Sequence, residues 1–203
     1  MGLVDGIREG RPLRAGGLRE AAPSWTEMRS VSGGADLEFG AFYDAHIDAV
    51  WRLLERLGVA SAVVDDAAQD VFVIAHRRKA EFRGESTMKT WLTGIALRVA
   101  KDYRRAASRR GEHEPLDQAR HLEAEGRPDE QAIANQALKQ VLRLTEQLED
   151  NQRLVFTLVE FEGLTVPEVA RLTGVKANTL STRLRAARAR FNQLVELEQG
   201  ASR

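Results

Sequence analysis

The chain of 203 residues has no cysteine, which excludes disulfides, cysteine-ligated zinc and thiol catalysis at once. Only 5 prolines interrupt it, against 43% apolar and 30% charged residues, so most of the chain should fold. Long hydrophobic runs are missing too. The longest apolar stretch, Leu154 to Val159, is far short of the roughly 20 residues that cross a bilayer. Arg8, Arg11, Arg14 and Arg19 stand near the start without an apolar segment, a pattern unlike a secretory signal. No strand-like alternation of useful length occurs. His46, His76, His113 and His121 are scattered, and there is no metal-ligand spacing, phosphate-cradling glycine loop or nucleophile elbow. These absences point to a cytoplasmic protein that is not an enzyme and needs no metal or cofactor.

Formal net charge is also absent, with 30 basic and 30 acidic residues, but the signs are segregated. Arg98, Lys101, Arg104, Arg105, Arg109 and Arg110 stand against a single acid, Asp102. From Glu112 to Glu130 seven acids face only Arg120 and Arg127. Lys176, Arg183, Arg185, Arg188 and Arg190 then follow without an acid among them. A surface built only for solubility intersperses both signs. Two basic blocks separated by an acidic one suit two polyanion-facing surfaces on a tether.

Helical periodicity dominates what remains. Residues 1–35 lack it and read as a mobile extension, with Trp25 its one large side chain. Phe39, Phe42, Tyr43, Ile47, Val50, Leu53, Leu54 and Leu57 recur at steps of three and four, with Gly58 placed to end the helix. Val64, Ala67, Ala68, Val71, Phe72 and Ala75 form a second stripe. A third, from an expected N-cap at Ser86, carries Met88, Trp91, Leu92, Ile95, Ala96, Val99 and Tyr103. The spacing predicts an all-α bundle over 36–106. Gly111, Pro115, Gly126 and Pro128 give 107–132 the composition of a flexible acidic linker. A second all-α unit over 133–198 begins with Ile133, Ala137, Leu138, Val141, Leu142 and Leu148. A helix bearing Leu154, Val155, Leu158 and Val159 follows, and Gly163 should end it.

The most specific local signal lies near the C-terminus. Thr165-Val166-Pro167-Glu168 reads as a capping box with Pro in the first turn. Thr173-Gly174-Val175 supplies a turn in which Gly takes a positive φ, and a helix from about Ala177 to beyond Phe191 follows. This is a helix-turn-helix, whose second helix fits the major groove of DNA. Asn178, Thr179, Ser181 and Thr182 are candidate base readers; Lys176, Arg183, Arg185 and Arg188 are candidate phosphate anchors, directed outward.

The first bundle offers two further surfaces. Its basic helix lies beside a polar loop, Phe82-Arg83-Gly84-Glu85-Ser86-Thr87, and beside Trp91 and Tyr103. Cations next to aromatics suit a nucleic-acid strand whose bases leave the stack, although Phe82 and Trp91 fit a core better than a stacking platform. Asp66, Gln69, Asp70 and Val73 share one face of the second helix. Acids there would repel DNA, so that face meets either water or a basic protein partner.

Three ordered blocks resemble the extracytoplasmic-function group of σ70-type RNA polymerase sigma factors. They are Asp66-Ala67-Ala68-Gln69-Asp70-Val71-Phe72; then Phe82, Trp91-Leu92, Ile95-Ala96 and Asp102; and then Glu162-Gly163-Leu164-Thr165, Glu168-Val169-Ala170, Gly174-Val175, Thr179-Leu180, Arg183-Leu184 and Ala187-Arg188. The resemblance implies a σ2 domain followed by a σ4 domain. It implies that Asp66, Gln69, Asp70 and Val73 dock on the β′ clamp coiled coil of core polymerase, with σ4 on the β flap. Phe82, Ser86, Thr87, Trp91, Arg98, Lys101, Asp102 and Arg105 would open the −10 element, and the helix from Ala177 would read the −35 element. An anti-sigma factor is a further implied partner. The chain departs from the family pattern in several places. Arg98 stands where Asn is frequent, Asn178 and Ser181 replace frequent Gly and Arg, and Glu149-Asp150 stands where Pro is common.

A stand-alone helix-turn-helix regulator is the alternative. Such proteins usually dimerise on palindromic half-sites. No heptad or extra helix after Phe191 offers a dimer seam, so a free monomer is expected.

Overall fold

The computed structural model describes residues 35–84, 86–110 and 139–201, and no strand occurs among them. They fall into two compact units, one on each side of residue 118. The expected mobile extension up to residue 34, most of the expected linker, the start of the stripe at Ile133, Ala137 and Leu138, and Trp25, Glu85, His113 and His121 lie outside the described residues, whereas Ala35 already belongs to a helix.

The first unit packs three helices: α1 (Ala35–Arg56), α2 (Val64–Arg78) and α3 (Met88–Arg110). Helix α1 stops at Gly58, whose φ is 87°. There Gly58 N–H donates to Glu55 and Val59 N–H to Leu54, so the last carbonyls find donors without a further turn. Phe42, Val50, Leu53, Leu54, Val64, Ala67, Val71, Ala75, Leu92 and Ala96 are fully buried and form the core. Phe42 and Phe39 meet Phe72 edge-on, with ring centroids 6.0 and 6.4 Å apart. Tyr43 departs from the inward stripe and sits at its rim, 37% exposed, its ring 4.7 Å from that of Phe72. Trp51 Nε1 donates to Asp65 at 2.8 Å and pins α1 to the first turn of α2.

The N-cap of α3 is Thr87 and not Ser86. Thr87 Oγ1 accepts from Thr90 N–H at 3.1 Å, whereas the Ser86 hydroxyl turns to the Thr87 carbonyl. One residue's difference in entry follows from that bond. At its far end α3 runs on to Arg110, into the stretch that reads as linker.

The second unit contains helical residues 139–146, then α4 (Asp150–Phe156), α5 (Val166–Thr173) and α6 (Ala177–Ala201). Helix α4 enters without a proline: the Glu149 carbonyl accepts from Gln152 and Arg153 at 2.8 and 2.7 Å. Between α4 and α5 the chain makes a π-helical turn, Thr157–Phe161, instead of the plain helix its apolar spacing suggests. Such a turn holds an extra residue and shifts the register after it. Phe156 stacks on Phe191 of α6 at 5.1 Å, at the centre of a cluster with Val141, Leu142, Leu148, Phe161, Leu194 and Val195.

Candidate nucleic-acid interfaces

The helix-turn-helix is held by local bonds. Thr165 N–H and Oγ1 both donate to Glu168 Oε2, at 2.8 and 2.7 Å, and Glu168 N–H reaches back to Thr165 Oγ1 at 3.4 Å. This is a complete capping box with Pro167 in the first turn. Gly174 closes α5 with φ 72°, and Thr173 Oγ1 donates to the Val169 carbonyl at 2.7 Å while accepting from Val175 N–H. Val169 and Leu180 are buried where the two helices meet. The turn therefore fixes how α6 leaves α5.

Lys176 just before α6 and Asn178, Thr179, Ser181, Thr182 and Arg185 on it are exposed, and Arg183 is half-buried. The first turn of α6 carries no acid. Thr182 Oγ1 donates to the Asn178 carbonyl at 3.1 Å, so its proton is held by its own helix and its lone pairs face out. Arg188 is not the free outward side chain expected. Its Nε donates to Glu160 Oε1 at 2.8 Å and its Nη2 lies 2.7 Å from the same oxygen. Glu160 belongs to the π turn and is fully buried. Burial pushes its pKa up, and the Arg188 hydrogen bond and charge oppose that rise. The signal in the sequence was an acid between apolar neighbours, Val159 and Phe161; in the structure it lies on the π turn, within hydrogen-bond reach of Arg188 on α6.

In the first unit Trp91, Gly94, Arg98, Lys101 and Arg105 follow one another at steps of three and four along α3, with Asp102 beside them. Arg98, Lys101, Asp102 and Arg105 are exposed. At the head of that stripe Phe82 and Trp91, both half-buried, stand with ring centroids 5.4 Å apart at 56°. Thr87 is exposed and Ser86 half-buried beside them. Trp91 and the cations thus share one side of α3 over a length of about 20 Å, with the Phe82 ring against Trp91 at its head.

Asp66, Gln69, Asp70 and Val73 are all exposed on α2, opposite buried Ala68, Phe72 and Ala75. Periodicity alone does not reveal that Asp70 is engaged: Tyr103 Oη on α3 donates to Asp70 Oδ2 at 2.8 Å. Tyr103 has its pKa pushed up to about 12, first by burial, then by that hydrogen bond and by the charges of Asp70 and Asp66. The phenol stays protonated at neutral pH and orients the carboxylate. Among the described residues no group of three or more His, Asp or Glu side chains could hold a metal ion.

Residues 42–110 match Sigma-70 region 2, and residues 138–191 match Sigma-70, region 4. The ECF RNA polymerase sigma-E factor of Escherichia coli (strain K12) is 31% identical over 146 residues, covering 68% of this chain and 76% of its own. The chain belongs to the ECF sigma factors of the sigma-70 family. RNA polymerase sigma factor NccH of Alcaligenes xylosoxydans xylosoxydans is 26% identical over 175 residues, or 84% of this chain and 94% of its own. Two solved structures share the fold. The sigma factor RpoE in complex with the anti-sigma factor NepR from Bartonella quintana has a TM-score of 0.63 at 20% identity, over 78% of this chain and 97% of that one. CnrH in complex with the cytosolic domain of CnrY has a TM-score of 0.58 at 22% identity, over 85% and 95%. The sigma factor is thus a transcription initiation factor that works with core RNA polymerase at promoters. Its region 2 match contains the acidic face and the α3 stripe, and its region 4 match contains the helix-turn-helix.

Proposed function

We propose that this sigma factor divides its work between a domain over 36–106, which binds core polymerase and the −10 element, and one over 133–198, which reads the −35 element. Asp66, Gln69, Asp70 and Val73 dock on the basic β′ clamp coiled coil, where an acidic face with an exposed apolar side chain complements its partner in charge and shape. Phe82, Ser86, Thr87 and Trp91 receive bases that leave the stack, while Arg98, Lys101 and Arg105 follow the strand's phosphates and Asp102 meets a base edge. Helix α6 enters the major groove with Asn178, Thr179, Ser181 and Thr182 towards base edges. Lys176, Arg183, Arg185 and Arg188 lie towards phosphates, and the β flap supports this second domain.

The observation that carries this reading is the pairing of aromatics and cations along α3 with a capped, acid-free recognition helix, each inside its family match. The protein acts in the cytoplasm and performs no catalysis of its own. No helix among the described residues is long and apolar enough to cross a membrane. An anti-sigma protein is its expected regulator, supported by the NepR complex of a similarly folded factor. The free protein is a monomer, or one half of that inhibited complex. Run-off transcription with purified core polymerase on fragments of the source genome tests the proposal. Addition of the chain should yield discrete new transcripts, and an unchanged transcript pattern would refute it.

A further inference from the structure

Glu160 has no role in the reading above, yet its position is unusual. A carboxylate that is 0% exposed faces an Arg188 side chain that is 37% exposed. Both short contacts from Arg188 fall on Oε1, while Oε2 is buried without a hydrogen-bond partner among the described residues. An isolated buried ion pair with one unsatisfied oxygen is poor as a stabilising device, because desolvation offsets most of the Coulomb attraction. A guanidinium has five N–H donors in a rigid fork. Glu160 takes the inner edge of that fork and leaves the outer edge to the exposed side. Arg188 also lies on the same side of α6 as Ser181 and Arg185, at steps of four and three, about 10 Å along the helix from Ser181. In a helix whose N-terminal side chains meet bases, a cation two turns further along is placed for the DNA backbone.

We infer that Glu160 is a positioning residue for DNA binding, which grips the inner edge of Arg188 and turns its outer edge to a backbone phosphate. The inference rests on the reading of α6 as the recognition helix. The grip starts from the π turn, which carries the buried acid on the segment between α4 and α5 and within reach of α6. A side chain already fixed in its binding geometry loses little rotamer freedom when it meets its phosphate.

This role and simple electrostatics predict effects of opposite sign. Glu160→Gln removes a negative charge behind the recognition helix, so Coulomb attraction alone would tighten DNA binding. Loss of positioning would weaken it, by about two- to tenfold for one side chain left to be ordered on binding. The probe is a duplex that the holoenzyme itself selects from a random-sequence pool, titrated with full-length chain on core polymerase at several salt concentrations. E160Q should weaken binding in the wild-type background and have no effect in an Arg188→Gln background. R188Q alone should lower the salt slope by about 0.9, one phosphate contact. Unchanged or tighter binding by E160Q would overturn the inference, as would equal weakening in both backgrounds, which would mean a purely structural role. Should E160Q lose its helical circular dichroism, Glu160→Asp takes its place with the same expectations, since it keeps the charge but withdraws the grip by one methylene. If R188Q and Arg185→Gln both leave affinity and salt slope at wild-type values, the reading of α6 fails instead.

Discussion

At the scale of single residues, the polar groups drawn into the interior set the chain's responses. His46 is 1% exposed, packs on Phe42 with ring centroids 4.6 Å apart, and neither ring nitrogen has a hydrogen-bond partner among the described residues. Burial lowers its pKa below the ordinary 6.5, so the neutral ring is the native form. The sign follows directly. Below pH 6.5 the unfolded chain takes up a proton that the folded chain resists, so stability is full above that value. It is lost progressively as pH falls towards the lower folded pKa. His46→Leu should flatten this acid limb without changing the behaviour of the second unit. Tryptophan emission during thermal melts at stepped pH measures it, since Trp51 and Trp91 lie in the first unit and residues 139–201 contain no tryptophan. An acid limb as steep as that of the wild type would exclude His46 as its source.

At the scale of elements, short-range rules place the helix ends and long-range packing decides what the helices present. The start of α5 needs only Thr165 and Glu168, three residues apart, and its finish needs only a residue content with φ 72°. Thr165→Ala removes the hydroxyl that accepts from Glu168 N–H and should cost about 1 kcal/mol. Gly174→Ala meets no heavy atom within 4 Å of the new Cβ, so its cost is backbone strain alone, roughly 1–2 kcal/mol. Hydrogen exchange across 150–195 checks both: each substitution should raise opening rates throughout the helix-turn-helix and leave the first unit's amides unchanged. These ends were legible beforehand because capping chemistry is local. Two other features were not. Ser86 and Thr87 are adjacent hydroxyls with equal claims to cap α3, and only the Thr90 bond separates them. The π turn has no local signature, because a segment of mixed apolar residues satisfies an α-helix equally well until α6 packs against it.

At the scale of the whole molecule, two units with their own cores divide the proposed tasks, so damage to one should spare the other. Asp70→Arg tests this. It breaks the bond from Tyr103 and places a cation on the face proposed to meet a basic coiled coil. Apposed like charges should weaken core polymerase binding at least about tenfold. Exchange protection over 150–195 should stay at its wild-type level, because the described residues of that unit's core cluster all fall between Val141 and Val195. Competition for core against the wild-type chain gives the affinity, and wild-type competition by the variant would rule out that face as the docking surface. The neutral net charge is likewise a sum over segregated segments of one chain, basic from Arg98 to Arg110 and from Lys176 to Arg190 and acidic from Glu112 to Glu130. By itself, the amino-acid order determined the helical stripes and the helix-turn-helix with its capped start and glycine stop, which depend on contacts a few residues apart. Which charged side chains remain free was decided only in the tertiary structure. Tyr103 finds Asp70 and Glu160 finds Arg188 across 33 and 28 positions, and helix packing sets such meetings because periodicity reports only the side of a helix, never its neighbour.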